Sequence, residues 1–217
     1  MSGRKFLSGI PVDIFSTKES LERTIYEWLQ KPEKSRQIVT LNARMLMAAL
    51  VNPELHKAIC KADLVLVDGY GIELALRRRE GASALRIAGI DLIKELLRWG
   101  SKQGLPVFFY GGTLEVAQGL RDRVPKLWPG LAVQGIWDGY GIELCRDQVQ
   151  REILHCQPRL LLVGLGTPAQ EFFLVDLLPH LPGTVGIGVG GALEVLAGIK
   201  AEAPPWLRKH GGEWLFR

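Results

Sequence analysis

Short hydrophobic runs alternate with longer amphipathic segments along this chain. The runs at 63–67 and 160–163 hold few or no polar residues, which predicts strands buried on both faces of a sheet. Residues 90–103 and 113–127 instead repeat their hydrophobic positions with the period of a helix. Strands that alternate with helices predict an α/β fold, in which a mostly parallel, Rossmann-like sheet has helices on both faces.

Turn and cap signals support this order of elements. Residues 6–14 predict an opening strand or hairpin, Asn42 stands in the N-cap position of a helix, and Pro53 begins another helix. The segment 204–217 is helical in pattern and rich in aromatic and basic residues. No Ser/Gly-rich linker divides the chain, so residues 1–217 are predicted to form a single domain.

Composition narrows the classes of function. The chain has 217 residues, of which 47% are hydrophobic and 23% are charged, and these are ordinary values for a globular protein. Its net charge of +4 suits an acidic small ligand or an anionic surface. No stripe of Lys and Arg is interleaved with aromatic residues, so nucleic acid is not predicted as a partner.

The cysteines and histidines suggest neither a disulfide framework nor a metal site. Cys60, Cys145 and Cys156 are odd in number and form no CxxC pair, which fits a reducing cytosol. The four histidines are scattered, so no metal site is predicted. Neither a signal-peptide core nor an apolar run of about 20 residues is present. We expect a cytoplasmic protein that is at most attached to a membrane surface.

Two glycine-rich junctions point to a ligand site. In each of Leu160–Glu171 and Gly186–Gly198, an apolar run ends in glycines and passes directly into a helical pattern. Glycines allow close approach to a ligand, and a helix N-terminus offers N–H groups to an anion. A phosphate-bearing ligand at one edge of the sheet is one interpretation, and simple punctuation of tight turns is the other. The candidate binding residues are Gly164, Gly166, Glu171, Gly190, Gly191 and Glu194.

The first junction also fits the dinucleotide pattern GxGxxA, over Gly164–Ala169. That pattern requires an acidic residue at the end of the next strand to hold the ribose, and Val189-Gly190-Gly191 stands there instead. The dinucleotide interpretation is therefore poor. The chain also lacks GxSxG, GxxxxGK[ST] and the DxD pair that holds a metal–nucleotide diphosphate.

Polar residues follow two of the predicted strands. Asp68 comes directly after an uncharged strand, and Thr40 and Asn42 stand at the end of the preceding one. Functional residues of open α/β sheets collect at such carboxyl ends. Asp68 could be a general base, a metal ligand or a turn residue, and Asn42 could serve only as a helix cap.

A second polar set stands where two later helices begin. Arg86 and Asp91 flank a predicted helix start, where they could form a site or a simple salt link. Gln170 follows the first glycine junction by about one helical turn, because Pro168 fits the start of a helix.

The sequence DGYGIEL occurs twice, at 68–74 and at 138–144. Both copies follow a predicted strand, but their flanking residues do not match over a longer window. Chance convergence of strand-end chemistry is therefore favoured over duplication of half the chain.

Seven ordered blocks together resemble the WecG/TagA/CpsF family of bacterial glycosyltransferases. They are VTLNARM at 39–45, VDGYGIELA at 67–75, RIAGIDL at 86–92, VFFYGG at 107–112, LVGLGTPAQE at 162–171, GVGGALEVLAG at 188–198 and the terminal APPWLRKHGGEWLFR. Several blocks at family-like spacing are more specific than any glycine motif.

The resemblance implies an inverting, metal-independent glycosyltransferase without a cofactor. Its donor would be a UDP-sugar carrying an N-acetylmannosamine-type sugar. Its acceptor would be a polyprenyl-diphosphate-linked N-acetylglucosamine at the inner membrane face, in cell-surface polymer synthesis. In the family, the aspartate matching Asp68 is the proposed base, and residues matching Thr40, Asn42, Arg86 and Gln170 line the cleft. The glycines matching Gly190 and Gly191 lie where the nucleotide is expected.

Family members usually continue past the terminal block with a basic, partly apolar appendage that meets the membrane and adds arginines to the site. This sequence ends at Arg217, which is included among the predicted substrate-binding residues. We accordingly expect only weak attachment to a membrane surface without such a tail. The sequence leaves a homo-oligomer open.

Two other classes of function remain open at this point. One is an enzyme dependent on NAD or S-adenosylmethionine, which binding of those cofactors would reveal. The other is a catalytically silent nucleotide-binding protein, in which UDP would bind but a change of Asp68 would have no kinetic consequence.

Overall fold

The computed structural model describes residues 3–31, 33–81, 84–141 and 143–202. This part of the chain contains eight strands and nine α-helices. The strands are β1 (Gly3–Leu7), β2 (Ile10–Ile14), β3 (Arg36–Leu41), β4 (Leu64–Val67), β5 (Pro106–Gly111), β6 (Ala132–Trp137), β7 (Leu160–Gly164) and β8 (Val185–Gly188). The helices are α1 (Lys18–Gln30), α2 (Ala43–Val51), α3 (Pro53–Lys61), α4 (Tyr70–Glu80), α5 (Gly89–Gln103), α6 (Leu114–Leu127), α7 (Glu143–Cys156), α8 (Ala169–Leu177) and α9 (Ala192–Leu196).

Six of the strands form one sheet in the order β4-β3-β8-β7-β5-β6. Every neighbouring pair in it is parallel. The last of the described strands, β8, lies in the middle of the sheet, where Ile187 is level with Ile38 of β3 and Leu162 of β7. The mostly parallel sheet expected from the uncharged runs is confirmed.

The strand residues alternate between two packed layers. Leu64, Leu66 and Ile187 point towards the layer that contains α1, α5, α6 and α9. Val65 and Val67 point to the opposite layer, against α2, α3 and α4, and further along that face the sheet packs against α7 and α8. Burial on both sides explains why these strands carry no charge. The expectation of helices on both faces is therefore also confirmed.

The opening segment is a separate antiparallel hairpin of β1 and β2, as the pattern at 6–14 predicted. Asp13 fastens it to the main sheet. The buried carboxylate of Asp13 accepts hydrogen bonds from the Arg4 Nε at 2.7 Å and from the Val65 backbone N–H at 2.8 Å. A charged acceptor that is buried and fully engaged in this way gives the hairpin a fixed position beside β4.

Helix boundaries agree closely with the cap signals. The side chains of Asn42 and Asn52 accept hydrogen bonds from the N–H groups of Met45 and Leu55, so they cap α2 and α3. One boundary differs from expectation, since α8 begins at Ala169, with Pro168 as its N-cap residue. The helix expected over 204–217 lies outside the described residues.

Parallel strands place all their carboxyl ends at one edge of the sheet. The two DGYGIEL copies follow β4 and β6, which are the two outermost strands. Their aspartates, Asp68 and Asp138, therefore stand at opposite ends of the same edge. In the described part of the chain, no helix is both long and apolar enough to cross a membrane.

Candidate functional site

A cleft of about 420 Å³ opens at the carboxyl ends of β3, β4, β7 and β8. Its volume falls in the range usual for small-ligand sites. The cleft lies where strand order departs from chain order, because β8 is inserted between β3 and β7. Such a switch point is where open α/β sheets bind ligands.

The structure brings most of the predicted site residues together in this cleft. Those that line it are Thr40, Asn42, Asp68, Gly166, Gln170, Gly190, Gly191 and Glu194. Four others are close by in the fold but do not line it: Arg86, Asp91, Gly164 and Glu171. Arg217 lies outside the described residues. The first and last of these lining residues, Thr40 and Glu194, are 154 positions apart in sequence, and the sheet topology brings them together.

Asp68 lies at the floor of the cleft, with 5% of its surface exposed. Its backbone N–H donates to the carbonyl oxygen of Leu41 at 2.9 Å, which continues the β3–β4 ladder by one residue. Gly69 follows with φ at +92°, and the chain then turns into α4. This turn holds the carboxylate at the end of the strand, beside the end of β3.

Thr40 and Asn42 reach the cleft from the end of β3. Asn42 caps α2 through its side-chain oxygen, which accepts from the Met45 N–H at 2.9 Å, so the capping interpretation is correct. The side-chain NH₂ of Asn42 is the group that remains to donate to a ligand. A Cβ on Gly89 would lie 3.3 Å from Thr40 Oγ1, so the start of α5 packs directly against Thr40.

Gln170 forms a bridge between two parts of the site. Its Nε2 donates to Glu171 Oε1 at 2.7 Å, and its Oε1 accepts from the Gly190 N–H at 3.0 Å. Only 3% of the residue is exposed. Both ends of the amide are therefore engaged within the protein, and Gln170 holds the glycine turn after β8 against the start of α8.

Glu171 is the buried anchor of this bridge, since only 1% of it is exposed. Burial raises the pKa of Glu171, and hydrogen bonds from Gln170, from its own backbone N–H and from Thr167 oppose that effect only in part. Its contact with the cleft is indirect, because Gln170 stands between them. The sequence alone suggested direct substrate binding by Glu171, and the geometry supports a positioning role.

The glycines of the two junctions serve different purposes. Gly164 is a packing residue, because a Cβ there would lie 2.6 Å from Leu193 Cδ1 and prevent the approach of α9. Gly166 and Gly190 line the cleft with φ values of +77° and +48°, which residues other than glycine rarely adopt. Close packing against α9 therefore explains Gly164, whereas ligand access at Gly166 and Gly190 stays a prediction.

Helix starts surround the cleft, but not all of their N–H groups are available. The first turns of α2, α5 and α8 border it. The N–H of Gly190 is occupied by Gln170, and α9 is only five residues long. Positive N-terminal ends for an anion are therefore supplied mainly by the three longer helices.

Three charged residues of the cleft were missed by sequence reasoning: Arg44, Lys200 and Glu202. Lys200 Nζ lies 3.2 Å from Glu194 Oε2, and Glu202 is paired with Lys94 of α5. Arg44 is exposed, and its side chain forms no hydrogen bond or ion pair with the residues that the structure describes. The signal for Arg44 was present, since it stands two positions after Asn42 in the VTLNARM block.

Metal-binding groups are not clustered here. Across residues 3–202, apart from the positions omitted above, no three His, Cys, Asp or Glu side chains are arranged to hold a metal ion. The cationic side chains among the described residues that line the cleft are Arg44 and Lys200.

A second cavity, of about 860 Å³, lies on the other side of α8. Gly139 and Gly141 of the second DGYGIEL copy line it, together with Lys57 and Arg146. Lys57 is an exposed surface residue that pairs with Glu54 at 3.0 Å. Among the described residues of the two copies, Asp68 of the first copy lines the cleft that holds the predicted site residues, and none of the second does.

The bridge formed by Gln170 predicts the effect of Gly188→Ala. A Cβ at this position would lie 2.6 Å from Gln170 Nε2 and 3.1 Å from Glu171 Oε1, so the amide must move. We expect the free energy of unfolding to fall by about 1–3 kcal/mol. We also expect the Gly190 N–H to exchange with solvent faster, as measured by hydrogen exchange.

Gly186→Ala on the same strand is the matched control. A Cβ there would lie 2.7 Å from Leu174 Cδ2 and so crowds an apolar contact instead. It should lower stability by a similar amount without selectively exposing the Gly190 N–H. Equal exchange rates in the two variants would contradict the bridging role of Gln170.

Glu171→Gln tests the buried carboxylate through pH dependence. Because the folded-state pKa is raised above the ordinary 4.5, the folded protein binds more protons than the unfolded chain in the interval between these values. The free energy of unfolding of the wild-type protein should therefore decline as pH rises from 4.5 through that interval. Urea denaturation at a series of pH values should show a smaller decline in Glu171→Gln. Glu54→Gln, which removes a carboxylate that is 71% exposed, should keep the wild-type pH dependence.

The chain is similar to known glycosyltransferases along most of its length. A model of the glycosyl transferase WecG/TagA/CpsF family matches residues 5–217. A protein of Bacillus subtilis (strain 168) named N-acetylglucosaminyldiphosphoundecaprenol N-acetyl-beta-D-mannosaminyltransferase is 31% identical over 180 residues, which are 83% of this chain and 70% of the relative. A Bacillus spizizenii protein of the same name is 33% identical over 186 residues, covering 85% and 71% of the two chains. The resemblance noted in the sequence is confirmed, and the chain belongs to the WecG/TagA/CpsF family of glycosyltransferases.

Proposed function

We propose that this enzyme transfers an N-acetylmannosamine-type sugar from a UDP-sugar to N-acetylglucosamine carried on a polyprenyl diphosphate. The two Bacillus relatives are named for that acceptor and that transferred sugar. The product would enter the synthesis of a cell-surface polymer. The observation that carries the proposal is the buried carboxylate of Asp68, set in a cleft among helix N-termini and glycine turns.

The reaction proposed is a single displacement with inversion. A hydroxyl of the acceptor sugar gives its proton to the Asp68 carboxylate as its oxygen attacks the anomeric carbon of the donor. A new C–O bond forms, and the bond from that carbon to the UDP oxygen breaks, with its electron pair leaving on the diphosphate. Asp68 ends the step protonated and returns the proton to solvent.

The leaving diphosphate requires positive charge close to the breaking bond. We assign this task to the N-terminal ends of α5 and α8 with a side-chain cation of the cleft, and we propose that no divalent cation is needed. Helix N-termini stabilise anions through aligned N–H groups, which are already in position and do not need to reorient when the negative charge develops. Lys200, which is already paired with Glu194 at 3.2 Å, can exchange that partner for a phosphate oxygen.

The other predicted residues are given roles from their positions. Thr40 and Asn42 lie beside Asp68 and would orient the reacting sugars. Gln170 acts by positioning the glycine turn, so it is a positioning residue in this proposal. Arg86 and Asp91 are half-buried near the start of α5, and their contribution to the site stays a prediction.

Asp68→Asn should reduce turnover by about 10²–10⁴-fold, which is typical for loss of a general base. The amide keeps the shape of the turn, so UDP affinity and the free energy of unfolding should stay close to wild type. Turnover can be followed by mass spectrometry with a UDP-sugar panel and a short-chain lipid-diphosphate acceptor.

The repeat provides a matched control for this variant. Asp138 has the same DGYGIEL context but stands at the far end of the sheet edge, so Asp138→Asn should retain full turnover. Near-normal turnover of a folded Asp68→Asn protein would contradict the proposed base. Binding of UDP without any effect of Asp68 on rate would favour a silent nucleotide-binding protein.

UDP is expected to bind with the same affinity in EDTA as in magnesium or manganese, because the described cleft offers cations and N–H groups to the diphosphate. Titration calorimetry under the three conditions measures this. Affinity that appears only with metal would show that a carboxylate site for a cation has been overlooked. Gly190→Val should weaken binding in every condition, since its positive φ and its place on the cleft wall both disfavour a β-branched side chain.

A further inference from the structure

The outer face of α2 is apolar although it is exposed to solvent. Met47, Leu50 and Val51 are 62%, 50% and 83% exposed, and Ala43 on the same side is also exposed. Arg44 is the only charged residue among the nine in this helix. Surface helices of globular proteins normally carry polar residues on the outer face. We call the exposed set Ala43, Met47, Leu50 and Val51 the α2 stripe.

The α2 stripe is continuous with the cleft. Asn42, Arg44 and Met45, at the start of α2, line the cleft wall, and the stripe begins there and runs away from it. Nine residues of helix extend over about 13 Å. A ligand that leaves the cleft along α2 therefore meets a cation first and then an apolar surface.

The acceptor in the proposed reaction has the same order of chemistry: a sugar, then a diphosphate, then a polyprenyl chain. We propose that the acceptor leaves the cleft along α2, with its diphosphate at Arg44 and its first isoprene units on the α2 stripe. This inference rests on the proposed function and assigns the acceptor side of that same site. Arg44 is suited to the diphosphate because it has no partner within the described residues and a guanidinium binds phosphate oxygens in pairs.

The stripe also has a physical reason to bind a prenyl chain. Its apolar area is otherwise exposed to water, and contact with an isoprene unit removes the surfaces of both partners from solvent. About 60 Å² of apolar contact corresponds to roughly a tenfold change in affinity. The acceptor's chain length should therefore affect binding through Met47 and Val51.

The test compares two acceptors, GlcNAc-diphosphate carrying a farnesyl chain and the same compound carrying a methyl group. For the wild type, kcat/KM should be higher with the farnesyl compound. In the double variant Met47→Gln/Val51→Gln, the ratio of the two kcat/KM values should fall about tenfold, while the value for the methyl compound is unchanged. Leu127→Gln is the matched control. Leu127 is 51% exposed, and it is the last residue of α6, a helix that does not line the cleft.

Calorimetric binding of the two compounds reports the same ratio without any turnover. If the wild type transfers sugar to neither compound but binds the farnesyl one more tightly through the stripe, the proposed function fails and the stripe assignment stands. An unchanged ratio in the double variant would overturn the assignment. A double variant that loses activity equally with both compounds, or that dissociates an oligomer in sedimentation velocity, would assign the stripe to packing or to a second copy of the chain.

Arg44→Gln separates the two diphosphates of the reaction. It should raise KM about tenfold for both acceptor compounds and leave KM for the UDP-sugar unchanged, with partial recovery in Arg44→Lys. A rise in KM for the donor alone would place Arg44 at the donor diphosphate and overturn its assignment to the acceptor.

Discussion

Burial of uncharged strands on both faces is the constraint on which the rest of this structure depends. Strands such as Leu64–Val67 and Leu160–Gly164 carry no polar side chain, so each must be covered from both sides. Helical crossovers provide that cover and oblige neighbouring strands to run parallel. All carboxyl ends then meet at one edge, and each strand there passes into a loop and then the N-terminal end of a helix. Polar residues that are far apart in sequence are thereby collected around one cleft.

Much of this could be predicted from the sequence because the signals are local. An apolar run marks a buried strand, and an asparagine such as Asn42 before a helical pattern marks a cap. Parallel topology places all carboxyl ends at one edge, and Thr40 and Asp68 follow consecutive strands of the chain, so both could be expected to face the same crevice. The choice of this edge as the candidate site did not require knowledge of the strand order.

The features that sequence reasoning missed depend on that order. Insertion of β8 beside β7 brings the Gly190 N to 3.0 Å from Gln170 Oε1. No local sequence pattern shows that the side-chain amide of a residue near a helix start will form hydrogen bonds within the protein at both ends. The burial of Glu171 has the same origin. An acidic residue in the first turn of a helix is usually solvated, so the local pattern did not predict that Glu171 would be buried. Lys200 reaches the cleft only because α9 ends after five residues and the chain turns back towards α5.

The central position of β8 also determines when, during synthesis of the chain, the sheet can be completed. A ribosome delivers β3 and β4, then β5, β6 and β7, before the strand that joins these two groups, so until residues 185–188 emerge the two groups lack the strand that pairs with both. Each group then exposes the inner strand edge that β8 later pairs with, on β3 and on β7, and such edges promote misassociation. The cleft is completed by the same late event, since its glycine turn follows β8 directly. Pairing of the inner strand edges and completion of the cleft thus both wait for the same strand, β8.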